Sequence, residues 1–186
     1  MKYLLALLAM AAATPALADS YCDDLWFTRN AIMDRAGYCF GSSLGKHVFD
    51  NGDCIGTSVT LSEADATRVA KLKAQEREAG CRVDTSRSRL DVLDLRYRQR
   101  LVDLPVTDGL ESACIGWRGD PLPLRACHGL NTDVIGQILP GDTLNYGHYP
   151  VGGWSYVTVH DSDWHLKSAG WYHVEAYPQR CAQFAG

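Results

Sequence analysis

The sequence predicts an α+β protein in which a small helical domain precedes a small β barrel. Three observations lead there. Apolar residues recur at helical spacing as far as Leu104; beyond Pro105 the pattern changes to short β-type runs separated by Gly, Pro and Asp turn signals; and all seven cysteines follow an apolar N-terminal leader. With 186 residues the chain has room for one large domain or two small ones. Its 46% hydrophobic and 22% charged residues, with 17 Gly and 7 Pro, exclude a disordered or fibrous chain. The net charge is −4, and no basic cluster is longer than Arg96, Arg98 and Arg100, so no nucleic-acid partner is expected.

Residues 1–18 read as a signal peptide. Lys2 supplies the positive start, residues 3–13 are almost wholly apolar, Pro15 breaks the run, and Ala16-Leu17-Ala18 is a small-x-small cleavage pattern before Asp19. The run is too short for a membrane span of about 20 residues, and no span is expected elsewhere. Cys22 lacks the small-residue box of a lipoprotein. The expected product is a periplasmic or secreted protein, and losing Lys2 takes its net charge to −5.

A helical domain is expected over residues 19–83. Asp23 or Asp24 would cap a first helix carrying Leu25, Trp26, Arg29, Ile32, Met33 and Ala36, closed by Gly37. A short segment around His47, Val48 and Phe49 would pin a loop. Ser62-Glu63-Ala64-Asp65 is a capping-box-like start for a second helix through Val69 and Leu72, stopped by Gly80. Residues 84–109 are expected as a helical linker, because Leu90, Leu93, Tyr97, Leu101 and Leu104 follow helical spacing until Pro105 forbids continuation. In the β domain, residues 110–186, strands are expected at 113–117, 122–126, 134–139, 143–149, 154–159 and 170–176.

In an oxidising compartment Cys22, Cys39, Cys54, Cys81, Cys114, Cys127 and Cys181 are all disulfide candidates. No Cys-x-x-Cys pair supports a redox or zinc motif. The first four allow three complete pairings. Of the last three, Cys114 and Cys127 flank the Gly119-Asp120-Pro121 turn and are the favoured bridge, leaving Cys181 unpaired.

The stretch from Leu25 to Ile32, with Arg35, Gly37, Tyr38 and Phe40, resembles the YARHG domain, an extracellular bacterial module of unassigned function, over residues 21–81. At the namesake pentapeptide this chain has Met33-Asp34-Arg35-Ala36-Gly37, so only Arg35 and Gly37 agree. The second half, residues 115–178, resembles a bacterial SH3-like domain. Leu122-Pro123-Leu124-Arg125, Asn131, Val134-Ile135-Gly136, Leu139 and Gly141-Asp142 match its strand, loop and strand, while Trp154 to Val157 and Gly170 to Val174 match later strands. It differs in its cysteines and in an insert from Asp161 to Ala169. That resemblance implies a module that binds cell-wall peptides or protein partners rather than one that performs chemistry.

Candidate chemistry is sparse. Cys54 with His148 superficially suggests a cell-wall hydrolase, yet a nucleophilic cysteine needs a helix N-terminus and a held imidazole, and Cys54 sits in a Gly- and Thr-rich loop. His160, Asp161, Asp163, His165 and His173 cluster on or beside two strands but match no zinc pattern, so no metal is expected. Nucleophile elbow, phosphate loop and His-Glu-x-x-His are absent. No cofactor is expected.

Two binding surfaces are candidates. Strand alternation puts Trp154 and Tyr156 opposite Val157 and Val159; if the valines are core, the aromatics face outward near Tyr146, Tyr149, Trp164 or Trp171 and form a groove. The other reading makes these aromatics the core of a small barrel. Arg29, Asn30 and Arg35 on the first helix are the rival site, unless they serve as helix-to-loop bridges. The expected function is a non-enzymatic binding or adaptor protein of the cell envelope, recognising cell-wall peptide or an envelope protein. An inhibitor or immunity-type factor is the alternative, and the Cys54 hydrolase a weaker one.

Overall fold

The computed structural model describes residues 16–173 and 180–186. The signal-peptide stretch 1–15 lies outside them, as does the end of the strand expected at 170–176. Helix α1, Ala16–Arg35, begins well before the expected caps, so Asp23 and Asp24 are interior positions of the helix. It ends where Gly37 takes φ 84°, a conformation a side chain resists. A one-and-a-half-turn helix, α2, Ser43–Val48, replaces the loop expected around His47 and is capped by Ser42 Oγ, which accepts from the Gly45 amide at 3.1 Å. Helix α3, Glu63–Glu78, starts as the sequence indicates: Ser62 Oγ accepts from the Asp65 amide at 3.1 Å. The Cys81 amide closes it on the Glu76 carbonyl at 2.8 Å around Gly80, φ 66°.

These helices pack around Leu25, Phe27, Leu44, Phe49 and Leu72. Cys22–Cys81 joins α1 to the segment after α3, and Cys39–Cys54 closes the loop around α2; Cα–Cα distances are 5.3 and 5.0 Å.

The expected linker helix is the first correction. Only one turn forms, α4, Leu95–Arg98, and Leu93, placed on its buried face by the pattern, is 73% exposed. Tertiary partners claim amides that a helix would use, since Val102 and Asp103 donate to the Ala126 carbonyl at 2.8 and 3.4 Å and Asp91 to Asp23 Oδ2 at 2.7 Å, and the following carbonyls are taken up as well. Arg35 donates to the Leu101 and Val102 carbonyls at 2.6 Å each, Thr28 to Pro105 at 3.3 Å, Trp171 Nε1 to Asp103 at 2.8 Å, and Arg68 to Leu104. The segment is a strap stitched to both halves, and its hydrogen bonds are satisfied there instead.

The second half is an antiparallel seven-stranded sheet: β1 Thr107–Trp117, β2 Leu122–Arg125, β3 Val134–Ile138, β4 Thr143–His148, β5 Ser155–His160, β6 Leu166–Tyr172 and β7 Cys181–Ala185. The order β3-β2-β6-β5-β4-β1-β7 leaves β3 and β7 as edges, so the sheet is open where a closed barrel was expected. Much of the supposed insert is strand, since β5 and β6 form a hairpin with Val157 opposite Gly170 and His160 opposite Leu166. Strand β7 was not foreseen; Ala182-Gln183-Phe184 carries little alternation because all three are exposed on an edge strand.

The favoured bridge is corrected as well. Cys114 pairs with Cys181, Cα–Cα 5.3 Å, and Cys127 is the free cysteine. Strand β7 lies directly beside β1, with Trp117 opposite Cys181. Gly116 in β1 has φ 67°, and a Cβ there would stand 3.0 Å from that of Ala182. Cys127 instead follows β2, whose neighbours are β3 and β6.

One sheet face carries Trp117, Leu124, Ile138, Leu144, Val157 and Val159. The other carries Trp154, Tyr156, Ala169 and Trp171, covered by Leu101 and Tyr97 of the strap. No helix of the described residues is long and apolar enough to cross a membrane.

Candidate site between the helical half and the sheet

The alternation along β5 is as read, with the valines in one core, but Trp154, Tyr156 and Trp171 are only 7%, 1% and 1% exposed. They form no surface groove, because the strap covers the face that the sequence leaves open. Tyr146 is partly buried, its hydroxyl 2.8 Å from that of Tyr172; burial and then that neighbour push its pKa upward. Tyr149 is exposed. The rival residues are bridges: Arg29 Nε donates to Glu76 at 2.9 Å, tying α1 to α3, Asn30 Nδ2 donates to the Trp26 carbonyl at 2.8 Å, and Arg35 holds the strap. Cys54, bonded to Cys39, has no thiol to act as a nucleophile. Of the five possible metal ligands the fold brings together Asp161, Asp163 and His165, with ligand atoms within 4.8 Å of one another, and leaves His160 and His173 out of that group. Asp161 Oδ1 accepts the Asp163 and His165 amides at 2.9 Å each, which orders this hairpin turn internally.

A cavity of about 670 Å³ lies between α1, the strap and the outer face of β1, β4 and β5. Small side chains make its floor: Ala113, Asn145 and Thr158 meet there because Asn145 is opposite Ala113 on one side and Thr158 on the other. Leu93, Leu110 and Trp164 form part of the lining and are 73%, 74% and 57% exposed. A cluster of apolar side chains left in water around a concavity is the usual mark of a contact site.

At one side of this cavity lies a buried ionic cluster. Arg98 meets Asp24 Oδ2 at 2.5 Å and Asp94 Oδ1 at 2.8 Å, and its guanidinium lies 2.7 Å from His148 Nε2, itself 3.5 Å from Asp24 Oδ2. Tyr156 donates to Asp94 Oδ2 at 2.6 Å. Asp24 comes from α1, Arg98 and Asp94 from the strap, and His148 and Tyr156 from the sheet, so the cluster joins the two halves. Asp23, one residue earlier, accepts from Arg87 and from the Asp91 amide. Apart from Arg98 Nε, which is ion-paired with Asp94, three atoms of cavity-lining residues, Asp24 Oδ1, Arg98 Nη1 and Asn145 Oδ1, are shielded from solvent with no hydrogen-bond partner among the described residues. Sequence reading missed this constellation. Adjacent aspartates before an apolar helix look like caps, and only the strap's path shows which cation reaches them.

Burial alone would raise the Asp24 pKa, but the Arg98 charge and the bonds from His148 and Arg98 outweigh it and hold the carboxyl well below its usual range. Arg98 is raised: its burial works the other way and is overcome by Asp24 and Asp94. A depressed carboxyl stabilises the fold above its unfolded pKa of about 4, and that stabilisation is lost as pH falls below it toward the depressed folded value. Urea midpoints should therefore drop below about pH 4, and Asp24→Asn, less stable at neutral pH, should lose less over that window. Parallel acid profiles for the two proteins would rule Asp24 out as the source.

A family model described as "Domain of unknown function (DUF4453)" matches residues 80–186, and the YARHG domain model matches residues 1–77. The N-terminal resemblance therefore stands, while the second half matches this domain rather than an SH3-like one. No curated protein and no solved structure matches the chain.

Proposed function

This chain belongs to the DUF4453 family, whose match spans the strap and the whole sheet, and from that premise we propose that it is an exported, non-enzymatic binding module that holds a peptide segment in the cavity between its halves. The observation that carries the reading is the coincidence of a 670 Å³ cavity, exposed Leu93, Leu110 and Trp164 in its lining, and three polar atoms of lining residues without hydrogen-bond partners among the described residues. Apolar walls with a few placed polar groups are what a peptide site requires. Three disulfides support an oxidising destination, in keeping with the leader-like residues 1–18.

A peptide can come from the cell wall or from an envelope protein, and one experiment separates the two. The oxidised protein is titrated, with Trp164 fluorescence as the signal, against soluble peptides released from purified cell wall and against a digest of envelope proteins. Saturable binding is expected from one pool, at least about tenfold weaker in Leu93→Glu/Leu110→Glu, because burying each leucine is worth roughly 1.5–3 kcal/mol. Both leucines are exposed, so the variant keeps its core. Binding of neither pool, or binding indifferent to the substitutions, would refute the reading.

A further inference from the structure

We propose that the cavity selects the free α-amino end of a peptide whose first side chain is apolar; this rests on the peptide-binding reading and names the part of the peptide that is recognised. Charge points to the ammonium. Among the described residues four carboxylate side chains line the cavity, Asp24, Asp91, Asp94 and Glu111, against a single guanidinium, Arg98, with the His148 ring as the other basic nitrogen group. Within the buried cluster two aspartates share that one guanidinium, so a compact cation completes the neutralisation.

Hydrogen-bonding capacity points the same way. Asp24 Oδ1 and Asn145 Oδ1 are acceptors already withdrawn from water and still unpaired, and an ammonium brings three donors. Contact with it costs the protein little further desolvation, whereas leaving such groups unpaired is unfavourable. Arg98 Nη1 is the complementary donor without a partner. A carbonyl oxygen lies two bonds beyond the α-carbon of a peptide's amino end and is an acceptor suited to that donor. A lysine ammonium, four methylenes from its backbone, brings no such oxygen beside it. The exposed Leu93, Leu110 and Trp164 then receive the first side chain. Every exported chain acquires a new α-amino end when its leader is removed, so such ends are abundant in an envelope compartment.

The test is retention on the immobilised, oxidised full-length protein of a tetrapeptide-amide library with apolar first residues, half of it N-acetylated, read by mass spectrometry. Free-amino peptides should be retained roughly ten- to a hundredfold over their acetylated twins. Asn145→Leu should cut that ratio by removing an acceptor, while Asn145→Asp should preserve it. Equal retention of both forms, abolished in Leu93→Glu/Leu110→Glu, would overturn the ammonium assignment and leave the peptide site standing. Retention of neither form above that control would overturn both.

Discussion

Arg98→Met should destabilise the protein by about 3–5 kcal/mol, a large part of the 5–15 kcal/mol that holds an ordinary domain together. The guanidinium is almost wholly buried and faces two carboxylates, at 2.5 Å in Asp24 and 2.8 Å in Asp94. Methionine matches much of its length but leaves both anions in a poorly solvated site, and the cost comes from those uncompensated charges. The loss should appear as a lower urea midpoint at pH 7 with the disulfides intact. Adding Asp24→Asn and Asp94→Asn should recover part of it, because the neutral triple variant no longer buries unpaired charge. If Arg98→Met shifts stability by less than about 1 kcal/mol, or the triple variant is no better than the single one, the cluster is not what fastens the halves. Arg98→Lys should behave as a partial loss, since a single ammonium cannot reproduce the planar fork shared among Asp24, Asp94 and His148.

Removing the sheet disulfide is the second large effect. Cys114 and Cys181 are 67 residues apart, and closing a loop of that size lowers the entropy of the unfolded chain by an amount worth about 4 kcal/mol in the chain-entropy treatment. Cys114→Ala/Cys181→Ala should lose stability of that order, and β7, an edge strand bonded only to β1, should become the first segment to exchange its amides. Cys127→Ala should leave both stability and the disulfide map unchanged. Peptide mapping after thiol labelling without reduction gives an independent check: the label belongs on Cys127. A labelled Cys181 with Cys114 bonded to Cys127 would restore the pairing that loop proximity favours and contradict the strand order.

Much of this molecule is legible in its letters. The stop at Gly37, the cap at Ser62, the Gly80 closure and five of the β runs follow from residue preferences that act within a few positions. Turn chemistry marks where the strands break, and alternation along Trp154 to Val159 sorts the faces of β5 correctly. The predicted linker helix failed for a reason found elsewhere in the chain. Leu90, Leu93 and Tyr97 have the right spacing, but Asp23 and the Ala126 carbonyl take the Asp91, Val102 and Asp103 amides, while Arg35, Thr28, Arg68 and Trp171 bind the carbonyls that follow. β7 lacked a pattern because an edge strand with exposed side chains need not show one.

The candidate cavity belongs wholly to that second category. Its members come from α1, the strap, β1, β4 and β5, and no sequence spacing relates Asp24 to Arg98 or Asn145. By itself the sequence determined the two-part α+β composition, the helix boundaries set by caps and glycines, and the presence of cysteines suited to disulfides. Only the tertiary structure decided that the sheet stays open, that Cys181 rather than Cys127 joins Cys114, that the aromatics of β5 and β6 are covered, and that Asp24 pairs with Arg98. Local preferences are energies of neighbouring residues. Strand order, disulfide pairing and buried charge depend on which distant surfaces exclude water from each other, and that is settled when the halves meet.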